Sequence, residues 1–382
     1  MTSPFLHIGR NAALDGLRGW AAIIVVLYHA ILNCSPDIML AVLNTGILQL
    51  RTRDGWILKT VISALSGEIA VTLFFVMSGM VLFRALSVME RAQGAELGIA
   101  WRFLIRRVLR LWPPMATCLA VGWLLYRELG VVAPGLTAVL PVVDLVDNLA
   151  LVDTRVNGAT WTLGVELGSA PWLLLFYFAI RRWGALRTSV VAAVGVAALF
   201  RVGLLDKPAG MIFGLPAILA GAVLEHGWAE RLSRVWGALP MGLALMFVGE
   251  MLFPLQDLIL HTVTVGGGAA LVVAAMATAT RGRVHFLLTS GVSRFLGRIS
   301  YSLYLWNVPI LMVSLGAIGR ERARVHPLDV GVVLGLSTVF LTIPVAMLAE
   351  RWTERPFTQL GRALTRPAGA ARGELSAVPV RK

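Results

Sequence analysis

Two groups able to move a proton lie where burying them is costly. His29 sits inside the apolar run GWAAIIVVLYHAIL, and its nearest basic residue, Arg18, is eleven positions earlier. A neutral imidazole there can act as a general base toward a hydroxyl. Glu166 lies in TWTLGVELGSAPW, five residues after Trp161, and a carboxylate in such a run can share acid/base work or orient a partner. A third feature is cationic. In RFLIRRVLRLWPP (102–114), Arg106, Arg107 and Arg110 occupy positions i, i+1 and i+4 of one short helix ahead of Pro113 and Pro114. Arginine presents a fork of donors that suits phosphate.

The elements that must position these residues follow from composition. The chain has 382 residues, 57% hydrophobic and 14% charged, with mean hydropathy +0.77. Soluble domains carry about 25% charged residues, so a soluble single-core enzyme and a disordered chain are both excluded. A helix crossing the ~30 Å hydrocarbon core needs about 20 mostly apolar residues. Ten stretches qualify: 15–33, 66–88, 111–128, 160–180, 188–205, 209–226, 236–254, 257–280, 295–318 and 328–350. The expected fold is therefore an all-α polytopic membrane protein of about ten transmembrane helices. The run 131–150, with two prolines and two aspartates, reads as a re-entrant or surface segment.

The net charge of +13 invites a nucleic-acid reading, but topology accounts for it. With the N-terminus cytoplasmic, 24 Lys and Arg fall inside and 10 outside, which favours both termini in the cytoplasm of a multi-pass inner (plasma) membrane protein. Arg320, Arg322 and Arg324 run against that bias. Residues 11–357 form one transmembrane domain. Residues 358–382, basic and rich in Pro, Gly and Ala, are expected to be a disordered cytoplasmic tail. Cys34 and Cys118 are the two cysteines and show no CxxC spacing, so no metal site or disulfide framework is expected.

Each candidate keeps a structural reading beside the chemical one. His29 lies roughly 16 Å above Arg18 along a helix, near mid-membrane, where it is either a general base or a histidine bonded to neighbouring helices. Glu166, entering from the opposite face below an interfacial Trp161, reaches a similar depth; it either pairs with His29 or makes an inter-helix bond. The arginines either clamp a phosphorylated donor or anchor the helix at lipid headgroups. Arg201 and His261 also lie within spans, whereas Glu68, Glu250, Asp257 and Glu350 sit near span ends, where they can reach the interface.

Six patches in order resemble the membrane acyltransferase 3 family, which includes bacterial polysaccharide O-acetyltransferases. They are RNAALDGLRGWAAIIVVLYHA, with Arg18 and His29 in an Arg-x10-His spacing; GEIAVTLFFVMSGMVLF, with Ser78 and Gly79; RRVLRLWPP; TWTLGVE, ending at Glu166; LGRISYSLYLWNVPI; and ERPF, from Glu354. Two departures stand out. Asn307 replaces a common histidine, so that position can orient but not titrate. Leu167, Ser169 and Ala170 stand where a second acid and a Phe-Tyr pair often follow.

The resemblance implies an enzyme that moves an acyl group, usually acetyl from acetyl-CoA, to a hydroxyl of a carbohydrate or surface polysaccharide. No permanently bound cofactor is implied; acyl-CoA is the donor substrate. On that reading Arg106, Arg107 and Arg110, with Arg18, bind the donor's phosphates. His29 and Glu166 are catalytic, and Ser78, Trp161, Tyr301 and Asn307 line the substrate cavity. Partners are membrane lipids, acyl-CoA, a glycan or small-molecule acceptor and separate polysaccharide-assembly proteins, with no nucleic acid. A transporter or flippase, or acylation of a small metabolite such as a macrolide, is the alternative.

Overall fold

The computed structural model describes residues 11–93, 96–130, 140–203, 210–254, 257–318, 323–324 and 326–365. In chain order the helices are α1 (Ala12–Cys34), α2 (Pro36–Leu43), α3 (Arg53–Ala64), α4 (Gly67–Gln93), α5 (Glu96–Glu128), α6 (Val142–Leu149), α7 (Trp161–Trp183) and α8 (Ala185–Arg201). They continue with α9 (Met211–Val223), α10 (Ala229–Ser233), α11 (Ala238–Leu252), α12 (Leu258–Thr278), α13 (Arg283–Leu288), α14 (Gly291–Ile318), α15 (Pro327–Ala349) and α16 (Arg355–Leu364). No strand occurs among the described residues.

Eight helical stretches are long and apolar enough to cross a membrane: 12–34, 53–91, 96–128, 158–183, 211–233, 259–278, 291–318 and 327–364. The protein is an all-α, polytopic membrane protein. The expected spans at 188–205 and 236–254 correspond to α8 and α11, which are apolar but have 17 and 15 residues. At 1.5 Å per residue they reach about 26 and 22 Å, short of the ~30 Å core.

The helix bearing the arginines is not a short one stopped by proline. α5 runs unbroken for 33 residues with Pro113 and Pro114 inside it, so the arginines and the span expected at 111–128 share one rod. Membrane helices accept proline because neighbouring groups satisfy the backbone it frees. In α14, Pro309 removes the donor that would have met the carbonyl of Leu305. That carbonyl accepts instead from Asn157 Nδ2 at 2.9 Å and from Cys118 Sγ at 3.4 Å.

The same asparagine fixes the ambiguous segment before α7. Within 131–150, residues 131–139 lie outside the described residues, and 142–149 form α6. Eight residues span about 12 Å, too little to cross. α6 is tied down by buried amides: Asn148 Nδ2 donates to Thr160 Oγ1, and Asn157 N donates to Asn148 Oδ1. At the other end, α16 extends through Leu364, into the stretch expected to begin the tail, and packs on α5. Residues 366–382 lie outside the described residues.

Small residues set how closely the rods approach, as membrane packing requires. α1 packs against α14, α15 and α4. A Cβ on Gly297 would sit 2.2 Å from the Asp15 carbonyl oxygen, and one on Gly335 would sit 2.9 Å from Leu27. Between α4 and α9 the contact is reciprocal. A Cβ on Gly79 would lie 1.9 Å from the Ile218 carbonyl oxygen, and one on Gly221 1.9 Å from that of Val76. Gly79 is thus required by backbone proximity, which brings its neighbour Ser78 to the cavity described next.

Candidate active site

A cavity of about 730 Å³, counting its open mouth, lies among α1, α4, α5, α7 and α14. Ligand sites commonly hold 300–1,000 Å³. Arg18, Ser78, Arg107, Arg110, Glu166 and Tyr301 all line it. Six of the ten site residues expected from sequence, drawn from five helices, therefore face one space.

Its floor is cationic. Arg107 is buried, with its Nε donating to the Glu166 carbonyl oxygen at 2.9 Å and its Nη2 3.5 Å from Glu166 Oε2. The latter contact is an ion pair too long for a hydrogen bond, and Nη2 is left as a buried donor without a hydrogen-bond partner. Arg110 is exposed at the cavity edge. Arg18 lies 3.8 Å from Asp15. Three guanidinium groups and one carboxylate thus line the same space, an arrangement suited to an entering anion. Tyr301 forms part of the wall with its hydroxyl donating to the Leu111 carbonyl oxygen at 2.6 Å.

Arg106 departs from the expectation. It points away, its Nε donating to Thr365 Oγ1 beyond α16 and its Nη2 to the Thr365 carbonyl oxygen. At 100° per residue, Arg110 falls between Arg106 and Arg107 around the helix. Arg110 and Arg107 face the cavity, and Arg106, at the other edge of that arc, is held by Thr365. Trp161 is likewise outside the lining; it supports the wall from behind, edge-on to Phe75 at 6.0 Å.

The expected pairing of His29 with Glu166 is replaced by two separate pairs. Glu166 holds Arg107, whereas His29 Nδ1 lies 3.0 Å from Asn307 Oδ1 of α14. Neither His29 nor Asn307 lines the cavity. Asn307 stands one helical turn beyond it, whereas on α1 the lining residue is Arg18, eleven residues before His29. Asn307 follows the lining Tyr304 by three residues and donates to its carbonyl oxygen. His29 follows Val26, which packs in the same apolar cluster as the lining Phe74. Phe74 and Tyr304 meet edge-on at 6.0 Å, so an aromatic pair sits beside the turn that leads from the cavity to the imidazole.

Two further residues inside the matching patches contribute, Tyr304 and Glu354. Tyr304 accepts from Thr162 Oγ1 at 3.0 Å and donates to the Ala159 carbonyl oxygen at 3.0 Å. It lies three residues after Tyr301 on one face of α14, a spacing that signals a shared wall. Glu354, in ERPF, accepts from Ser302 Oγ at 3.0 Å, and its charge is felt by Arg110 and Arg18. No local pattern pairs residues so far apart. Among the described residues, no group of His, Cys, Asp or Glu could hold a metal ion, and Cys34 and Cys118 are buried free thiols.

No curated protein and no solved structure matches the chain significantly. A family model described as an acyltransferase domain matches residues 11–349, a stretch that takes in His29, Arg107, Arg110, Glu166 and Asn307, and the chain therefore belongs to the membrane acyltransferase 3 family.

Proposed function

We propose that this membrane acyltransferase transfers acetyl from acetyl-CoA to a hydroxyl of a carbohydrate or cell-surface polysaccharide, across the inner (plasma) membrane, with both termini cytoplasmic. The observation that carries the donor assignment is the convergence of Arg18, Arg107 and Arg110 on one cavity at the end of the bundle where α1 begins. The inside bias of Lys and Arg puts that end at the cytoplasm, where CoA is found. The phosphates of the donor meet the guanidiniums, and the acyl-pantetheine arm extends past Ser78, Phe74 and Tyr304 toward His29.

His29 takes the proton of the acceptor hydroxyl as its oxygen attacks the thioester carbonyl. The new C–O bond forms, the C–S bond breaks, and the proton passes to the departing thiolate, so ester and free CoA leave with no net proton change. Glu166 positions Arg107 rather than His29. Tyr301 and Ser78 are polar wall groups beside the arm's path. Membrane lipids surround the apolar helix faces, and separate polysaccharide-assembly proteins would present a polymeric acceptor.

The test is transfer from labelled acetyl-CoA by the full-length protein in lipid nanodiscs, with a candidate glycan as acceptor. Release of free CoA that depends on both acceptor and His29 supports the reading. Equal release by His29→Ala would overturn the assignment of the base, and a donor KM unmoved by Arg110→Ala would remove the cavity as the CoA site.

A further inference from the structure

We infer that Asn307 is a positioning residue that locks His29 in one tautomer, with the proton on Nδ1 and the lone pair on Nε2. This rests on the reading of His29 as the base, and it names the atom that does the work.

The argument begins with the amide. Asn307 is fully buried on α14. Its Nδ2 donates to the Tyr304 carbonyl oxygen at 2.5 Å and approaches that of Leu303 at 3.4 Å. Reversing the amide would set Oδ1 against two carbonyl oxygens and leave two backbone acceptors facing an acceptor. The backbone therefore fixes which end of the amide faces α1, and that end is Oδ1. A carbonyl oxygen can only accept. The 3.0 Å contact to His29 Nδ1 is a hydrogen bond only if Nδ1 carries the proton. A neutral imidazole then has its lone pair on Nε2, and no hydrogen bond to Nε2 occurs among the described residues. An asparagine beside a histidine can select either tautomer, according to the end it presents. Here Leu303 and Tyr304 make that choice.

Asparagine also differs from a carboxylate at this place. It orients the ring without adding a negative charge that would favour the imidazolium. The ionisable groups on the elements packed around His29 are few. α1 itself contributes Tyr28, α4 Glu68, α12 His261 and α14 Tyr304; α13 carries His285 and Arg283, and α2 carries Asp37, which pairs with Arg324. α15 meets the His29 stretch of α1 through Gly331, against Ile31, and Gly335, against Leu27 and Ala30, and carries Asp329 two residues before that contact. Asn307 is the side chain hydrogen-bonded to the imidazole, at 3.0 Å. A charge introduced at 307 would therefore act on the ring at hydrogen-bond distance.

The experiment uses the full-length protein with 15N-labelled histidine in nanodiscs. The His29 signal is identified by its loss in His29→Gln. Protonation of Nδ1 alone in the wild type, giving way to a mixture or to Nε2–H in Asn307→Leu, is the expected result; a wild-type His29 protonated on Nε2 overturns the inference. Acyl transfer gives the second readout. Asn307→Leu should lower kcat about tenfold or more while leaving the donor KM within error. Asn307→Asp keeps the acceptor oxygen, so it should restore transfer at high pH and move the acid limb of the kcat profile upward by about 1–3 pH units, the effect of an adjacent opposite charge. Full kcat in Asn307→Leu, or an unmoved limb in Asn307→Asp, would overturn the positioning role. If His29→Gln itself retained transfer, the catalytic reading of His29 would fail, while the tautomer measurement would still decide what Asn307 does to the ring.

Discussion

Two clusters of ionisable groups in the molecule are built differently. Where α1 begins, Arg18, Arg107 and Arg110 face a cavity with Glu166 as the lining carboxylate, and Arg107 keeps a donor without a hydrogen-bond partner. Toward the other end, α11 and α12 press Glu250 against His261, with Oε2 and Nε2 3.0 Å apart and both side chains almost wholly enclosed. Near them Lys59, fully buried, donates to the Leu43 carbonyl oxygen at 3.1 Å, and half-buried Glu68 lies within the field of Glu250 and His261. None of these four residues lines the cavity. The first region lies beside open space; the second does not, although His261 Nδ1 is likewise buried without a hydrogen-bond partner. Burial of charge in a membrane chain is therefore not enough to mark a site. Charged groups lining a cavity are the sharper sign.

That contrast can be broken most severely at the imidazole. His29→Ala should cut transfer from labelled acetyl-CoA by about 10²–10⁴-fold, the usual weight of a general base, with the protein still inserted and monodisperse. Equal loss on Glu250→Ala would erase the distinction between the two regions. Instead, Glu250→Ala should act on stability, removing the bond to a buried His261 at a cost of about 1–3 kcal/mol. A lowered thermal midpoint with unchanged turnover per folded molecule is the expected outcome. Next in size, Arg110→Ala should raise the donor KM about tenfold, equivalent to ~1.4 kcal/mol, with little change in kcat. The smallest effect belongs to Arg106. Its contacts are with Thr365, and Arg106→Ala should shift the donor KM by less than about twofold, the scale of a partly exposed contact. A tenfold shift there would extend the donor site past α16.

Much of this architecture was legible before any fold was known, because hydropathy is a local property of the chain. The ten apolar stretches all appear as helices, though α8 and α11 are shorter than a full crossing. Legibility failed where tertiary contacts override local rules. The arginines read as a short helix ahead of Pro113 and Pro114, yet α5 carries them and the following span as one rod. The run 131–150 read as re-entrant or surface, and the docking of its helical part, 142–149, depends on Asn157 finding the carbonyl that Pro309 frees, 148 residues away. Site residues divide in the same way: Arg18, Ser78, Arg107, Arg110, Glu166 and Tyr301 line one cavity, whereas Arg106, Trp161, His29 and Asn307 do not. Adjacent arginines look equivalent in a sequence but differ by 100° on a helix.

What the sequence determined by itself is the all-helical membrane class, the order of the spans, and the placing of a histidine at depth with arginines near one interface. Composition and a 3.6-residue period suffice for these. What the tertiary structure alone decided is who partners whom. Arg107 holds Glu166 across 59 residues, and His29 meets Asn307 across 278. Those pairings depend on how far each helix slides and turns against its neighbours. Glycines such as Gly79, Gly221 and Gly297 set that by letting backbones touch, and a one-dimensional pattern does not encode the resulting depth and rotation.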